Sequence, residues 1–477
     1  MKNIIKSILL VLAVLMASCN LPNNIDPKSA SVVTADVVFT DAEIALFNQI
    51  GSINVNYNVF RLLAQYQSEV TYETEARYNL ADRSLPDRHW AVLYRDVLMN
   101  AEETKRIVNA TVFVDAQEKA NKLATVEVLE VYTYQMLVDA FGNVPYTEAL
   151  KGGDNSRPKY DDAKTIYYDL VSRLDKAIAD LSADAGSASY GSADILYGGD
   201  VPKWLAFANS LKLRIAMRIA DIDPIKAETL ISEAVASGVF TSQSQSAILH
   251  YTGTAPYTNS YYTEYVLNNR KDYVPSNTFI DKLNSLNDPR RASWFTTVSG
   301  AYIGLTYGTS GKYSKLSHFN SSIINATYPV IISDYVEVEF LLAEAAERGL
   351  AGVTGAETHY NNAINASMAY WGVSASDAAT YTAQPSVAYS SASGTWKEKI
   401  GTQKWLGLFD RGIEGWNEWR RLDYPILNPP SGMNYSDIPV RFPYPSNENK
   451  LNGDNYAAAA AAIGGDLVST KLFWDKY

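Results

Sequence analysis

Cysteine is nearly absent from this chain. Cys19 is the only one in 477 residues, which leaves no intramolecular disulfide and no zinc–thiolate site, and a cysteine nucleophile only if Cys19 itself were free. Histidine is almost as scarce: His89, His250, His318 and His359 stand far apart with no metal-ligand spacing between any two. Basic residues are outnumbered 41 to 52, for a net charge of −11. Without a basic stripe the chain lacks the charge that neutralises phosphates, so nucleic acid is not an expected partner. No second long apolar run follows the N-terminal one, so nothing else is expected to span a bilayer. Neither a G-x-S-x-G elbow nor a dinucleotide fingerprint occurs. The stretch Gly308-Thr309-Ser310-Gly311-Lys312 fails as a phosphate loop, because Thr306 stands where the first glycine belongs and Tyr313 replaces the required hydroxyl residue. Asn447, Asn449, Asn452 and Asp454 offer oxygens to a calcium ion but lack the full loop pattern. The sequence therefore predicts no catalytic residue, no metal and no cofactor.

What is present begins at the N-terminus. Lys2 and Lys6 precede an uncharged apolar run over 8–17, followed by the small residues Ala17 and Ser18. This is the three-part build of a secretory signal, occupying residues 1–18. The run is half the roughly 20 residues a spanning helix needs. Met16-Ala17-Ser18-Cys19 resembles the lipobox of bacterial lipoproteins, with Met16 in place of the usual Leu. Cys19 is thus predicted to carry the lipid anchor, palmitate included, since a multiply acylated cysteine supplies the two chains that stable anchoring requires. Loss of Lys2 and Lys6 makes the mature chain two units more negative than −11. Residues 19–30 include NLPNNIDPK, a polar, proline-containing tether, and 31–477 are expected to form a single domain. A chain of this length can bury enough surface to be stable without disulfides.

Beyond the tether the periodicity is helical. Over 166–181, Tyr167, Leu170, Leu174, Ile178 and Leu181 fall on one face, and Asp161 and Asp162 are cap candidates. Residues 204–220 repeat the pattern with Trp204, Ala208, Leu211 and Ile215, placing Lys212, Arg214 and Arg218 elsewhere on the helix. A third helix is predicted over 123–141, ending at Gly142. Residues 335–348 and 357–371 form a helical hairpin closed by Gly349 and Gly372 as left-handed caps. Recurring pairs of this kind predict a mainly α, tetratricopeptide-like scaffold with little β structure, although no strict 34-residue period is legible. Long irregular insertions interrupt it at about 183–201, 241–275, 292–334 and 374–396, and loops of that length tend to be functional. Tyr302-Ile303-Gly304-Leu305 suggests a small hairpin within the third.

The segments joining these helices carry a family resemblance. Phe141-Gly142-Asn143-Val144-Pro145-Tyr146-Thr147-Glu148-Ala149-Leu150 resembles the F-G-D-V-P-Y-x-E-A-L signature of SusD-like outer-membrane nutrient-binding lipoproteins. Pro158-Lys159-Tyr160-Asp161, the run WLAFANSLKLRIAM at 204–217, Asp288-Pro289-Arg290, EFLLAE at 339–344, Gln403-Lys404-Trp405-Leu406, GWNEWRRLDYP at 415–425 and Arg441-Phe442-Pro443-Tyr444-Pro445-Ser446-Asn447-Glu448 continue the match in order. The similarity is greatest to the divergent branch labelled "starch-binding associating with outer membrane". Each motif also has a structural reading. Trp405, Trp416 and Trp419 at helical spacing are expected in the core, and Arg420 and Arg421 beside Asp423 are expected as a buried pair. The resemblance implies a protein anchored on the outer membrane as a hinged lid over a TonB-dependent β-barrel transporter of SusC type. Such a protein captures a glycan, or sometimes a peptide, and passes it inward without chemistry. The segment NLPNNID lacks the acidic cluster sometimes associated with surface export, which leaves an inward-facing location open.

Tyrosine is the one enriched residue type: 33, beside 9 Trp and 14 Phe. Its ring stacks on the apolar face of a sugar and its hydroxyl reaches the rim, at little cost in conformational freedom. Aromatic residues off helical periodicity concentrate at 72–90, 251–273 and 294–313, and from these Tyr78, Tyr257, Tyr261, Trp294, Tyr302 and Tyr307 are predicted to contact an oligosaccharide. The rival readings are a surface hydrolase of polysaccharide or peptide, whose paired carboxylates sequence alone cannot place, a peptide-binding receptor of the same fold, and a scaffold that holds protein partners in its helical groove.

Overall fold

The computed structural model describes residues 33–477. The signal segment, the tether to residue 30 and Cys19 lie outside the described residues. From the N-terminal side come α1 (Ala35–Gly51), the short α2 (Leu85–Ala91), α3 (Met99–Ala110), α4 (Ala116–Phe141) and α5 (Ala163–Ala183). A π-helical segment, Val92–Leu98, joins α2 to α3 without a break. Next come α6 (Val201–Ile219), α7 (Pro224–Ser237), α8 (Tyr335–Glu347), α9 (Ala356–Tyr370), α10 (Trp396–Gly407) and α11 (Gly412–Leu422), with shorter turns between. Consecutive helices pack against each other, α3 on α4, α4 on α5, α5 on α6, α6 on α7 and α8 on α9, which is the tetratricopeptide-like stacking of helical hairpins. Residues Ala35–Tyr477 form one compact unit.

Local chemistry sets the helix ends. Asp162 caps α5 by accepting from Thr165 N, whereas Asp161 turns away and accepts from the backbone of Tyr146 and Thr147. Helix α4 starts seven residues earlier than its apolar pattern predicts, because Asp115 caps it and polar Asn121 is buried by bonds to the 187–188 backbone. Gly349 and Gly372 adopt positive φ of 66° and 72° after α8 and α9.

Apart from isolated bridges, the strands among the described residues form three two-stranded pairs: β1 (Gln67–Glu69) with β5 (Tyr273–Pro275), β2 (Val144–Pro145) with β3 (Tyr160–Asp161), and β4 (Ala247–Leu249) with β6 (Val330–Ser333), all antiparallel. Tyr302–Leu305 is no hairpin. Leu305 instead pairs in parallel with Ser276 at the end of β5, because the buried Leu305 side chain joins Val70, Val274 and Leu316 in a small apolar cluster. The irregular 374–396 stretch holds a helix, Ala375–Thr382, capped by Ser374.

Helix α8 sits between two cores. Val338, Leu341, Leu342 and Ala345 belong to the main one, while Val336, Phe340 and Ala343 meet Tyr360, Ile364, Met368 and Ile400 in a second. Trp405, Trp416 and Trp419 are buried as expected. The basic residues of α6 depart from expectation. Lys212, Arg214 and Arg218 are all buried, because a helix enclosed on every side has no solvent face to give them. Arg214 pairs with Glu337 at 2.5 Å, and Arg218 with Glu418 at 2.5 Å and Glu414 at 2.8 Å. Lys404 and Arg421 converge on the same Glu418 at 2.7 and 2.6 Å, and Arg421 also reaches Glu344 at 2.5 Å. Burial alone would raise the Glu418 carboxyl, but Arg421, Lys404 and Arg218 outweigh it and hold it well below the usual range. Asp423 is not the partner of Arg420 or Arg421. It occupies a left-handed position at the end of α11, and Arg420 stacks on Trp416 while donating to the carbonyls of Asp139 and Val440.

Candidate functional site

The clefts of interest form where α1, the turn after it, the α2–π segment and the 251–264 loop meet. Ser52 Oγ accepts from Asn54 N at 3.2 Å and Asn54 Oδ1 accepts from Asn56 N at 2.9 Å. These side-chain turns replace regular backbone pairing and push Tyr57 outward. Gln49 fixes the same turn from below, its amide donating to Tyr57 O at 2.9 Å and bonding His89 Nδ1 at 3.0 Å. His89 is buried, and desolvation pushes it down to about 3, so it is a neutral structural ring. Across the cleft, Tyr257 N donates to Thr254 O at 2.8 Å and Gly253 N to Tyr257 O at 3.2 Å, a tight loop that carries Tyr257 at its tip. Asn259 holds the loop's far end through Tyr261 N and Tyr328 O.

Two cavities result, and they share a wall. The first, about 350 Å³, is lined by Asn48, Ser52, Asn54, Tyr57, Arg88, Asp96, Tyr251, Thr258 and Glu264 among others. The second, about 250 Å³ and mostly apolar, is lined by Thr40, Ile44, Asn48, Ile195, Leu249, His250, Tyr251, Thr252 and Tyr257. Asn48 and Tyr251 belong to both, joined by the Tyr251 hydroxyl on Asn48 Oδ1 at 3.2 Å. Tyr57 is 39% exposed and Tyr257 46%. The Arg88 guanidinium sits 4.4 Å from the Tyr57 ring centroid. An exposed ring beside each cavity, with amide, hydroxyl and guanidinium groups between them, is the combination that binds a ring bearing both C–H faces and hydroxyls.

The first cavity also holds two carboxylates. Asp96 is forked by Arg95 at 2.6 and 2.7 Å. Glu264 accepts from Asn54 at 2.9 Å and lies 4.0 Å from Arg270.

Two further cavities lie elsewhere. One of about 380 Å³ between α3, α4 and α5 is lined by Lys105, Glu127, Arg173 and Asp180; of these Lys105 and Arg173 both pair with Glu127, and Lys176 beside them pairs with Asp180. One of about 450 Å³, on the other side of the π-helical segment, has Trp90 and Tyr94 in its wall. Trp90 is packed against Phe141 and Tyr160, and the Tyr94 hydroxyl is consumed by Pro145 O at 2.5 Å.

Of the six residues predicted to touch ligand, only Tyr257 lines the shared-wall clefts. Tyr302 is half-buried, with Arg291 at 5.2 Å from its ring. The other four are buried with no ring face open, so in this conformation they do not form a stacking platform. Trp294 is fully enclosed, 4.4 Å from Phe409 and 5.4 Å from Trp371. Tyr261 donates its hydroxyl to Asp410 at 2.7 Å. Tyr307 donates to Leu62 O at 2.7 Å, and Tyr78 accepts from Gln65 at 3.1 Å with its ring beside Tyr307. A tyrosine off helical periodicity can still be buried wherever a loop folds back over the core and offers its hydroxyl a partner. Trp294 is buried by aromatic packing alone, its indole N–H finding no acceptor among the described residues. Sequence reasoning passed over Tyr57, Tyr251, Asn48 and Arg88. The available signal was the alternation Asn54, Asn56, Asn58 around Tyr57, since asparagine spaced this way builds side-chain turns rather than a strand.

Comparison with known proteins agrees with this architecture. A family profile described as "Starch-binding associating with outer membrane" matches residues 27–445. Among solved structures, one described as a chitin-binding protein is 27% identical with a TM-score of 0.79, covering 93% of this chain and 100% of its own. A chitin-binding SusD homolog from Flavobacterium johnsoniae is 26% identical, with a TM-score of 0.77 over 92% of this chain and 98% of its own. A SusD homolog from Bacteroides uniformis is 25% identical, with a TM-score of 0.74 over 92% and 99%. No curated protein matches the chain. The profile match spans most of the length, so the chain belongs to the SusD-like family.

Proposed function

We propose that this protein is a non-enzymatic receptor that captures an oligosaccharide at the outer membrane and delivers it to a TonB-dependent β-barrel transporter of SusC type. In this reading Cys19 carries the lipid anchor and the folded domain stands on the cell surface. The observation that carries the ligand half of the proposal is the pair of adjoining cavities with Tyr57 and Tyr257 at their rims and Asn48 and Tyr251 as a common wall. Two neighbouring subsites suit a chain of sugar rings better than a single small molecule. The two relatives described as chitin-binding make β-linked N-acetylated oligosaccharides the first class to try, with starch fragments second.

Titration calorimetry of the full chain with chitooligosaccharides and maltooligosaccharides tests this. Saturable binding of one series, with no cleavage products after prolonged incubation, is the expected result. Binding of peptides but no glycan overturns the ligand class. Turnover abolished by Asp96→Asn or Glu264→Gln overturns the receptor reading in favour of a hydrolase, since these are the two carboxylates that share the larger of the adjoining cavities. Co-purification of a β-barrel from outer membranes with the acylated protein tests the transporter partnership. A Cys19→Ala chain that still partitions with membranes at unchanged mass removes the anchor.

A further inference from the structure

The turn between α3 and α4 carries three consecutive apolar residues, Val112-Phe113-Val114. Val112 is 95% exposed and Val114 108%, the most exposed large apolar side chains described. Connections between helices are ordinarily polar, and an exposed apolar run of this length is an error in a soluble surface unless something covers it. Among the described residues nothing covers Val112 or Val114. Asp115, next in line, is committed to capping α4 through Gln117 N at 2.8 Å.

The location of this tip says what could cover it. Lys122, two turns into α4, holds Asp36 in the first turn of α1 at 2.8 Å and lies 5.8 Å from the Phe113 ring centroid. One ammonium group therefore joins the apolar tip to the place where the N-terminal chain enters the fold. Val37, beside Asp36, is itself 54% exposed. Ala35 is sixteen positions after Cys19, a separation that at full extension reaches at most about 55 Å. The tip thus lies beside the point where the tether from Cys19 enters the domain.

We infer that Val112, Phe113 and Val114 form a second membrane contact, a shallow insertion into the lipid interface beside the tether that orients the anchored domain on the bilayer. This rests on the reading of Cys19 as acylated. A lipid surface suits the tip because the residues are few, aliphatic or aromatic, and displayed on a narrow turn that enters between headgroups without burying any helix backbone. Lys119, behind the tip, already donates to Asn109 O and braces the turn. A lipid anchor alone leaves the domain free to tumble about its tether, whereas two contacts a short distance apart fix which face points outward.

The acylated full chain provides the test, because a single engineered cysteine is then its only free thiol. Val114→Cys is labelled with an environment-sensitive fluorophore and reconstituted in phosphatidylethanolamine–phosphatidylglycerol vesicles containing no other protein. The expected result is a blue-shifted emission that brominated acyl chains quench. A label at exposed Ser391 should stay aqueous and unquenched, and adding Val112→Asp to the Val114→Cys chain should return the emission to that value. Mass and vesicle flotation of the same sample separate the two ideas. A chain that floats with its acyl mass but keeps an aqueous label at 114 overturns the membrane contact and leaves the lipoprotein reading intact. A chain without acyl mass that does not float removes both. A label that turns apolar only when outer-membrane proteins are added assigns the tip to a protein partner and overturns the lipid proposal.

Discussion

The interior junction of α6, α8, α10 and α11 and the rim of the shared-wall clefts are both rich in charged and polar side chains, yet they use them in opposite ways. At the junction each carboxylate meets a cation: Glu337 meets Arg214 and Arg411, Glu344 meets Arg421, and Glu418 meets Arg218, Lys404 and Arg421. These side chains are all buried and engaged with one another. At the rim, Asn48, Arg88, His250, Thr252, Tyr57 and Tyr257 are exposed and only partly engaged with one another. Of the family motifs, EFLLAE contributes Glu344, Gln403-Lys404-Trp405-Leu406 contributes Lys404 and GWNEWRRLDYP contributes Glu418 and Arg421 to the first region, and none lines the second. The difference teaches that these helices build a scaffold whose buried charges are paired internally, while the loops around the clefts keep polar groups that the fold does not consume, as the proposed oligosaccharide site requires.

The sharpest way to break this comparison is to unbalance the junction. Glu418→Gln leaves Arg218, Lys404 and Arg421 without their common acceptor, and removing one member of a buried ion network typically costs about 3–5 kcal/mol. Urea denaturation should show that loss with ligand affinity of the folded fraction unchanged. A cost near zero would mean the junction tolerates uncompensated charge and the contrast with the rim is empty. Leu342→Ala on α8 should cost about 2–5 kcal/mol, nearer the lower figure because Leu342 retains 7% exposure at the edge of the main core. An unchanged denaturation midpoint would show that α8 is not held between the two cores as described.

A third test uses a charge that is not matched. Glu69 in β1 is fully buried and its oxygens are unpartnered among the described residues. Burial, then Glu75 and then Asp272, push its carboxyl up to about 9. A folded pKa above the unfolded value means that the native state holds the proton more tightly. Stability from this group is complete below about pH 4.5 and is lost as pH rises toward 9. The wild-type chain should lose up to about 1.4 kcal/mol per pH unit within that window from this group, and Glu69→Gln should flatten the slope. Equal slopes in the two proteins would show that Glu69 ionises normally and that the loop side is as well compensated as the junction.

The smallest expected effects belong to the rim. Tyr57→Ala and Tyr257→Ala should each weaken oligosaccharide binding by about 1–2 kcal/mol, roughly tenfold per 1.4 kcal/mol, with the melting temperature unchanged. Tyr261→Phe, which removes a hydroxyl buried on Asp410, should instead lower stability by about 1 kcal/mol and leave affinity alone. An inverted outcome, with Tyr261 governing affinity and the two exposed rings governing stability, would exchange the roles of core and rim.

The sequence alone determined the helical scaffold, the hairpin closed by Gly349 and Gly372, and the family, because each depends on local periodicity, on a cap, or on short ordered motifs that survive divergence. Its mainly α reading holds for the described residues, and Trp405, Trp416 and Trp419 are buried as their spacing implied. Only the tertiary structure decided where Lys212, Arg214 and Arg218 point, since a helix pattern distinguishes an apolar face from a polar one but cannot show that other helices cover the polar face as well. Only the tertiary structure decided which tyrosines are exposed. Tyr257 and Tyr261 are four residues apart in one loop, and the first stands 46% exposed while the second is buried at 1%, its hydroxyl on an aspartate 149 positions along the chain. Exposure of a ring depends on which distant segment folds back over it, and nothing in a local window of sequence encodes that.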